Sequence, residues 1–149
     1  MVIGIFGESC TGKSTLAQLL KTRFQARVYT GKDYLRLSKN EKSAKKLFQK
    51  ELEAAVSGDH IVYVISEPEH LQLLPEGALR VLVTADLDLI KSRFAQRMKG
   101  NLPAAVSAML ERKHGCFDRE MHHFHMVSGE MEPDAVCDKI VEWEEAHGQ

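Results

Sequence analysis

The segment GESCTGKS at residues 7–14 constrains the fold of this chain more than any other, because it fits the pattern G-x-x-x-x-G-K-[ST]. It lies between an apolar run, VIGIF at 2–6, and a segment at 16–24 whose large apolar residues repeat with helical period. A glycine-containing turn between a strand and a helix can curl until successive N–H groups converge on an anion, and the helix dipole favours negative charge at the same point. The sequence therefore predicts a strand, an anion-binding loop and a helix, in that order.

The residue types in this loop suit a polyphosphate. Lys13 supplies a mobile positive charge for the outer phosphates, and the Ser14 hydroxyl is placed to ligate Mg²⁺. Thr15 can donate a hydrogen bond to an inner phosphate. The predicted ligand is a nucleoside triphosphate, with ATP and Mg²⁺ as cofactors. Its predicted binding residues in the loop are Gly7, Ser9, Cys10, Thr11, Gly12, Lys13, Ser14 and Thr15.

Beyond the loop, short apolar or β-branched runs alternate with segments of helical period. The runs predict strands at 2–6, about 26–30, 60–65, 79–84 and about 122–127. Helices are predicted from near Lys13 to Phe24, over 44–56, from an N-cap at Asp86, and after Pro133. A further helix is predicted to carry Val106, Met109 and Leu110 and to stop at Gly115. Because the first two strands are almost wholly apolar, we expect a parallel sheet that is covered on both faces, which is a three-layer α/β fold. In such folds ligands bind at the carboxyl ends of the strands.

Composition restricts the class of protein. With 149 residues, 44% of them hydrophobic, the sequence predicts a single domain, 1–149. The formal net charge of -1 argues against a general nucleic-acid binder, and no apolar run is long enough to span a membrane. Three cysteines without metal-type spacing predict free thiols, and the N-terminus does not resemble a signal peptide, so a cytoplasmic protein is expected. No prediction of oligomeric state follows.

The order of strands and loops around residues 7–14 resembles a P-loop kinase of the nucleoside monophosphate kinase type, cytidylate kinase-like or adenylate kinase-like. The resemblance covers nearly the whole chain, with a five-stranded parallel sheet and a short lid segment at about 93–117. It implies an enzyme that moves the γ-phosphoryl group of Mg-ATP to a nucleoside, a nucleotide or a small hydroxylated acceptor. Closure of the lid over the nucleotide would exclude water.

The predicted lid carries three candidate arginines. Arg93 and Arg97 form the R-x-x-x-R pattern of such kinases, which implies that Arg93 flanks the adenine and Arg97 reaches the phosphates. Two like charges four residues apart on a helix repel weakly, and an anion between them would turn that cost into a gain. The resemblance assigns Arg112 to the transferring phosphoryl group. A solvated helix exterior is the alternative interpretation.

The predicted acceptor site follows the second and third strands. The segment TGKDYLR at 30–36 is similar to the TG-x-x-Y-R stretch of cytidylate kinases, with the arginine displaced by one residue. Asp33 is predicted to orient or deprotonate the acceptor hydroxyl and Arg36 to hold a substrate anion; the alternative is that Asp33 caps a helix. Glu67 is predicted to hold the hydration shell of Mg²⁺. The acidic residue, glycine and arginine usual for the family are missing from the loop at 66–70.

Other features leave alternatives open. The missing arginine and the short acceptor region favour, as a second hypothesis, a module that binds Mg-ATP without efficient transfer. The absence of an Asn-Lys-x-Asp sequence argues against a GTPase switch. The histidines at 122–125 are predicted to lie on an edge strand rather than to bind a metal. The basic stripe of Lys42, Lys45, Lys46 and Lys50 is interpreted as a solvated helix exterior, with steering of phosphorylated substrates as the alternative.

Overall fold

A computed structural model describes residues 1–147. The strands are β1 (Val2–Phe6), β2 (Arg27–Thr30), β3 (Ile61–Ile65), β4 (Leu79–Thr84) and β5 (Phe124–Val127). The α-helices are α1 (Lys13–Phe24), α2 (Glu41–Ala55), α3 (Leu87–Arg97), α4 (Ala104–Lys113) and α5 (Pro133–His147). Two short 3₁₀ helices, Asp33–Leu37 and Pro68–Leu73, follow β2 and β3. Each strand is thus followed by a helical element, as the alternation in the sequence predicts.

The five strands form one parallel sheet in the order β2-β3-β1-β4-β5. Every residue of β1 and β3 is buried, because helices cover the sheet on both sides. The prediction of a three-layer α/β fold with a five-stranded parallel sheet is therefore confirmed. The carboxyl end of β1, which leads into residues 7–12, lies between those of β3 and β4.

Alternate residues of the central strand enter two separate cores. Ile3 and Ile5 pack with α1 and α5 on one face of the sheet, whereas Val2 and Phe6 pack with α2 on the other. A third, smaller cluster joins Cys10 to apolar residues of α3 and α4. The last cluster places the α3–α4 hairpin, which contains most of the predicted lid at about 93–117, directly against the loop that follows β1.

The two edge strands differ from the prediction, β2 in its burial and β5 in where it begins. In β2 only Tyr29 is buried, because this strand lies at the edge of the sheet rather than inside it. At the opposite edge, β5 begins at Phe124, so that His123 precedes it and accepts a hydrogen bond from Arg80 N–H at 2.9 Å through Nδ1. His125 bonds Thr84 Oγ1 at 2.8 Å, and no cluster suited to a metal ion occurs within residues 1–147.

The N-terminal caps of the helices agree with the sequence prediction only in part. Asp86 occupies the N-cap position of α3 as predicted, but its side chain makes no capping hydrogen bond. Asn40 caps α2 by accepting a hydrogen bond from Ser43 N–H at 3.0 Å. No helix in the described part of the chain has both the length and the apolar character to cross a membrane.

Candidate active site

The loop at 7–14 adopts a curled conformation that its residues explain. A Cβ at Gly7 would lie 2.1 Å from the Val83 carbonyl oxygen, so only glycine lets the loop pack this closely against β4. Cys10 and Gly12 both have left-handed backbones, with φ of 64° and 101°. Thr11 Oγ1 donates to the Glu8 carbonyl at 2.9 Å and closes the turn from inside. Left-handed residues at these two positions let the backbone curl, which is how anion-binding loops bring their N–H groups together.

Lys13, the first residue of α1, is almost fully buried beneath this loop. Its Nζ donates to the Gly7 carbonyl at 2.8 Å and to the Glu8 carbonyl at 2.6 Å. Burial lowers the pKa of Lys13 to about 8, and the charge of Arg97 acts in the same direction, although Cys10 and Glu8 oppose it. The lysine is therefore held against the loop's own carbonyls, and an arriving phosphate would compete with them for its ammonium group.

A cavity of about 270 Å³ opens over the loop and brings the predicted phosphate ligands together. Lys13, Ser14 and Thr15 line it from the loop side, and Arg97 lines it from α3. The remaining wall comes from the carboxyl ends of β2 and β3. The structure thus places four residues predicted from two separate motifs around one space, with Ser14 exposed to it.

A second cavity, of about 420 Å³, adjoins this one and extends to the residues that follow β5. Arg93 and Arg97 line one wall together with Cys10 and Thr15 of the loop, and residues 128–133, after β5, line the other. Arg93 donates from its guanidinium to the Cys10 carbonyl at 3.0 Å, so this arginine already braces the loop. The volume is within the range typical of sites for small ligands and cofactors. The wall at 128–133 follows β5, at a strand end where the sequence predicts that ligands bind, although no motif there singled out individual residues.

Glu8 is a further residue that sequence reasoning missed. Its carboxylate is buried, although the loop pattern allows any residue at this position. One oxygen accepts a hydrogen bond from Gly115 N–H at 3.1 Å, and the other lies 3.1 Å from Nδ1 of His114. Glu8 therefore joins the loop to the end of α4, more than 100 residues away. We call these contacts the Glu8 latch.

A third cavity, of about 210 Å³, lies between the loop, the residues after β3 and the lid. Glu8, Ser66 and Glu67 line it on one side, with Lys113 and Cys116 among the lid residues opposite. Glu67 is thus beside the loop, where its predicted role requires it, and forms an ion pair with Lys113 at 3.6 Å. The predicted role of Glu67 toward Mg²⁺ stays a prediction.

Arg112 and the two acceptor residues are placed away from these three cavities. Arg112 is exposed on α4, and its neighbour Lys113 lines the third cavity instead. Asp33 begins the first 3₁₀ helix and accepts a hydrogen bond from Thr30 N–H at 2.9 Å, while the Arg36 guanidinium lies 4.8 Å from the centroid of the Tyr29 ring. The roles predicted for Arg112, Asp33 and Arg36 therefore stay predictions.

Comparisons with known proteins bear on the fold. No protein-family model matches the sequence, and no curated protein matches it. Among solved structures, a shikimate kinase from Acinetobacter baumannii in complex with shikimate is 14% identical, with a TM-score of 0.64 over 97% of this chain and 93% of that one. A gluconokinase from Sinorhizobium meliloti is 13% identical, with a TM-score of 0.61 over 99% and 97%. The chain has the fold of P-loop kinases.

A third similar structure is YorR from Bacillus subtilis in complex with phosphorylated GDP. It is 22% identical, with a TM-score of 0.64, and the alignment covers 100% of both chains. These three structures support the predicted fold. The narrower nucleoside monophosphate kinase type stays a prediction.

Proposed function

We propose that this protein is a small-molecule kinase that transfers the γ-phosphoryl group of Mg-ATP to a small hydroxylated acceptor. The observation that carries the proposal is the meeting of Lys13, Ser14 and Arg97 around one cavity over the loop. The kinases and the phosphorylated GDP complex named among the similar structures support it.

The residues at the loop suit the charge changes of phosphoryl transfer. Lys13 exchanges the Gly7 and Glu8 carbonyls for phosphate oxygens, and Arg97 approaches the same group from α3. Such preorganised cations stabilise the charge that spreads over the equatorial oxygens in the transition state. The exposed Ser14 hydroxyl, with a water held by Glu67, offers the hard oxygen donors that Mg²⁺ prefers, and the ion would neutralise phosphate charge.

In the proposed reaction the acceptor hydroxyl oxygen attacks the γ-phosphorus. The new P–O bond forms as the bond to the β,γ-bridging oxygen breaks, and ADP departs with that oxygen. One carboxylate oxygen of Asp33 is bonded to Thr30 N–H, which leaves the other to accept the hydroxyl proton. The lid, held to the loop by the Glu8 latch, keeps water from the same phosphorus.

The decisive experiment measures ADP release with Mg-ATP across a panel of nucleosides, nucleoside monophosphates and small hydroxylated metabolites. One acceptor should stimulate release, and Lys13→Ala should lower that turnover by about 100-fold or more, because a preorganised charge is lost. Lys21→Ala, on the exposed side of α1, is the matched control and should keep full turnover. Near-normal turnover in Lys13→Ala would contradict the assignment of the loop.

A second candidate function is binding of Mg-ATP without efficient transfer. It is favoured by the engagement of both predicted acceptor residues with the protein itself, since Arg36 stacks on Tyr29 and Asp33 bonds Thr30. This hypothesis predicts that the wild-type protein binds Mg-ATP tightly while no acceptor stimulates ADP release. The same panel therefore separates the two functions.

A further inference from the structure

The charged residues of the chain are distributed unevenly along it. Residues 32–50 contain seven basic and two acidic residues, an excess of five positive charges. Residues 130–145 contain seven acidic residues and one basic residue, an excess of six negative charges. The rest of the chain carries equal numbers of each sign, so the net charge of -1 arises from these two segments. The first segment includes most of α2, and the second includes most of α5.

Three lysines of the basic stripe on α2 form one row on the solvent side of the helix. Lys42, Lys46 and Lys50 are four residues apart, and each stands two residues before a side chain that is buried against the sheet. Two residues turn an α-helix by about 200°, so the row points away from the sheet. All three lysines are exposed, and none forms an ion pair within residues 1–147. We call these three lysines the basic row.

The helix α5 carries a row of the opposite sign. Asp134, Asp138 and Glu142 have the same four-residue spacing, Glu145 follows on the same side of the helix, and all four are exposed. Asp138 pairs with Arg23 at 2.8 Å, and the other three form no ion pair in the described part of the chain. We call these four carboxylates the acidic row.

The two rows face in opposite directions within one molecule. The buried side of α2 packs on one face of the sheet and that of α5 packs on the other, so each row lies on the outer surface of its own layer. Each row therefore keeps the repulsion between like charges that are four residues apart on a helix. Contact with a surface of opposite charge and equal spacing would relieve this repulsion, and another copy of the chain presents such a surface.

The surface beside the basic row also offers apolar contact. Leu47 lies next to Lys46 on α2 and is 47% exposed, which is unusual for a large apolar side chain in this protein. Ala135 and Ala146 are exposed on α5, and their small side chains would let a neighbouring helix approach closely. Burial of Leu47 would add a hydrophobic contribution to the attraction between the rows.

We propose that the basic row of one molecule docks on the acidic row of a second copy of this chain. Because the two rows differ and face opposite sides of the sheet, the contact is head-to-tail and leaves one row of each sign free at the ends. The association therefore continues to a ring or a filament. It does not depend on the proposed kinase function.

The first test measures the mass of the wild-type protein by sedimentation velocity at two ionic strengths. Concentrations up to about 0.5 mM are needed, since exposed ion pairs each contribute little. At about 0.02 M salt the average mass should reach at least about twice the 16.8 kDa of one chain, and at about 0.5 M salt it should not, because salt screens the charges. A protein that remains a single chain at both ionic strengths would overturn the proposal.

The second test reverses the charge of each row. The two variants are Lys42→Glu/Lys46→Glu/Lys50→Glu and Asp138→Lys/Glu142→Lys/Glu145→Lys. Each should remain a single chain at low salt, because both of its outer surfaces then carry charge of the same sign. In an equal mixture the two variants should associate again, since the reversed row of each complements a row of the other. Such a recovery also shows that both variants are folded.

The matched control is Lys21→Glu/Lys99→Glu/Arg119→Glu, which reverses three exposed charges outside both rows. It changes the net charge as much as reversal of the basic row does, and it should associate like the wild type. Association of the basic-row variant alone, or a mixture that stays as single chains, would overturn the proposal. A wild-type protein that binds inorganic polyphosphate through the basic row but does not self-associate would overturn it as well.

Discussion

Lys13 shows how one residue can be prepared for a ligand before the ligand arrives. Its ammonium group is buried, yet it is bonded only to the neutral carbonyls of Gly7 and Glu8. Since carbonyl dipoles compensate a buried charge only in part, burial lowers its pKa to about 8. A triphosphate supplies the missing negative charge, so its binding should restore a higher pKa.

This shift predicts a pH dependence of nucleotide affinity. Below about pH 8 Lys13 is already charged, and affinity should be insensitive to pH through this group. Above that pH the free protein must take up a proton to bind, so the affinity for Mg-ATP should fall by up to about tenfold per pH unit. Calorimetric titrations between about pH 7 and 9.5 would measure the slope.

The control for this prediction is Lys13→Arg, because the guanidinium stays charged over the whole range. Its affinity for Mg-ATP should be independent of pH above 8, whatever its absolute value. A flat profile in the wild-type protein would show that Lys13 does not change its protonation on binding.

At the scale of the elements, the α3–α4 hairpin is held to the loop at 7–14 by contacts that are distant in sequence. Lys91 and Glu111 join its two helices through an exposed ion pair at 2.6 Å, which contributes little stability. The Glu8 latch, by contrast, ties the end of α4 to the loop through a buried carboxylate. We therefore expect the Glu8 latch to determine how often the α3–α4 hairpin opens away from the loop at 7–14.

Replacing the latch residue tests this expectation. Glu8→Ala removes the acceptor for Gly115 N–H and for His114, so amide exchange over 104–116 should accelerate about fivefold or more, since each net hydrogen bond is worth on the order of 1 kcal/mol. Hydrogen–deuterium exchange measured by mass spectrometry would resolve this segment. Glu120→Ala, at an exposed carboxylate beyond the lid, should leave the exchange unchanged. Equal protection in Glu8→Ala and the wild type would show that the apolar cluster alone holds the lid.

At the scale of the whole molecule, parallel strand order places the candidate site at one end of the sheet. The carboxyl ends of β2, β3 and β1 meet there, and the residues that follow each of them line the cavities. Because the site is built from several elements that are far apart in sequence, a ligand that binds it should stabilise the entire fold.

Thermal unfolding should therefore respond to nucleotide. Mg-ATP at about 100 times its Kd should raise the unfolding free energy by about 2.7 kcal/mol, which corresponds to roughly 5–10 °C in Tm for a chain of this size. The Lys13→Ala variant should show a much smaller shift at the same concentration, and adenosine, which lacks phosphates, should shift neither protein appreciably. Equal stabilisation of both proteins by Mg-ATP would show that the loop is not the binding site.

Local patterns in the sequence were sufficient for the elements and the phosphate loop. All five strands start and end within about two residues of their predicted positions, and α1 begins at Lys13 as expected. Most residues of the segment 9–15 line one cavity, because a strand, a loop and a helix in succession specify that geometry through backbone conformation, and Arg97 joins them from α3. Apolar periodicity and glycine spacing are properties of neighbouring residues, so the sequence by itself determined these parts.

Only the tertiary structure decided which side chains complete the site. The partners of Glu8 lie more than 100 residues away. Arg36 stands one position from its expected place in a known motif, and its guanidinium lies on the Tyr29 ring instead. Burial and hydrogen bonding at these positions depend on how distant elements pack, which no local pattern encodes.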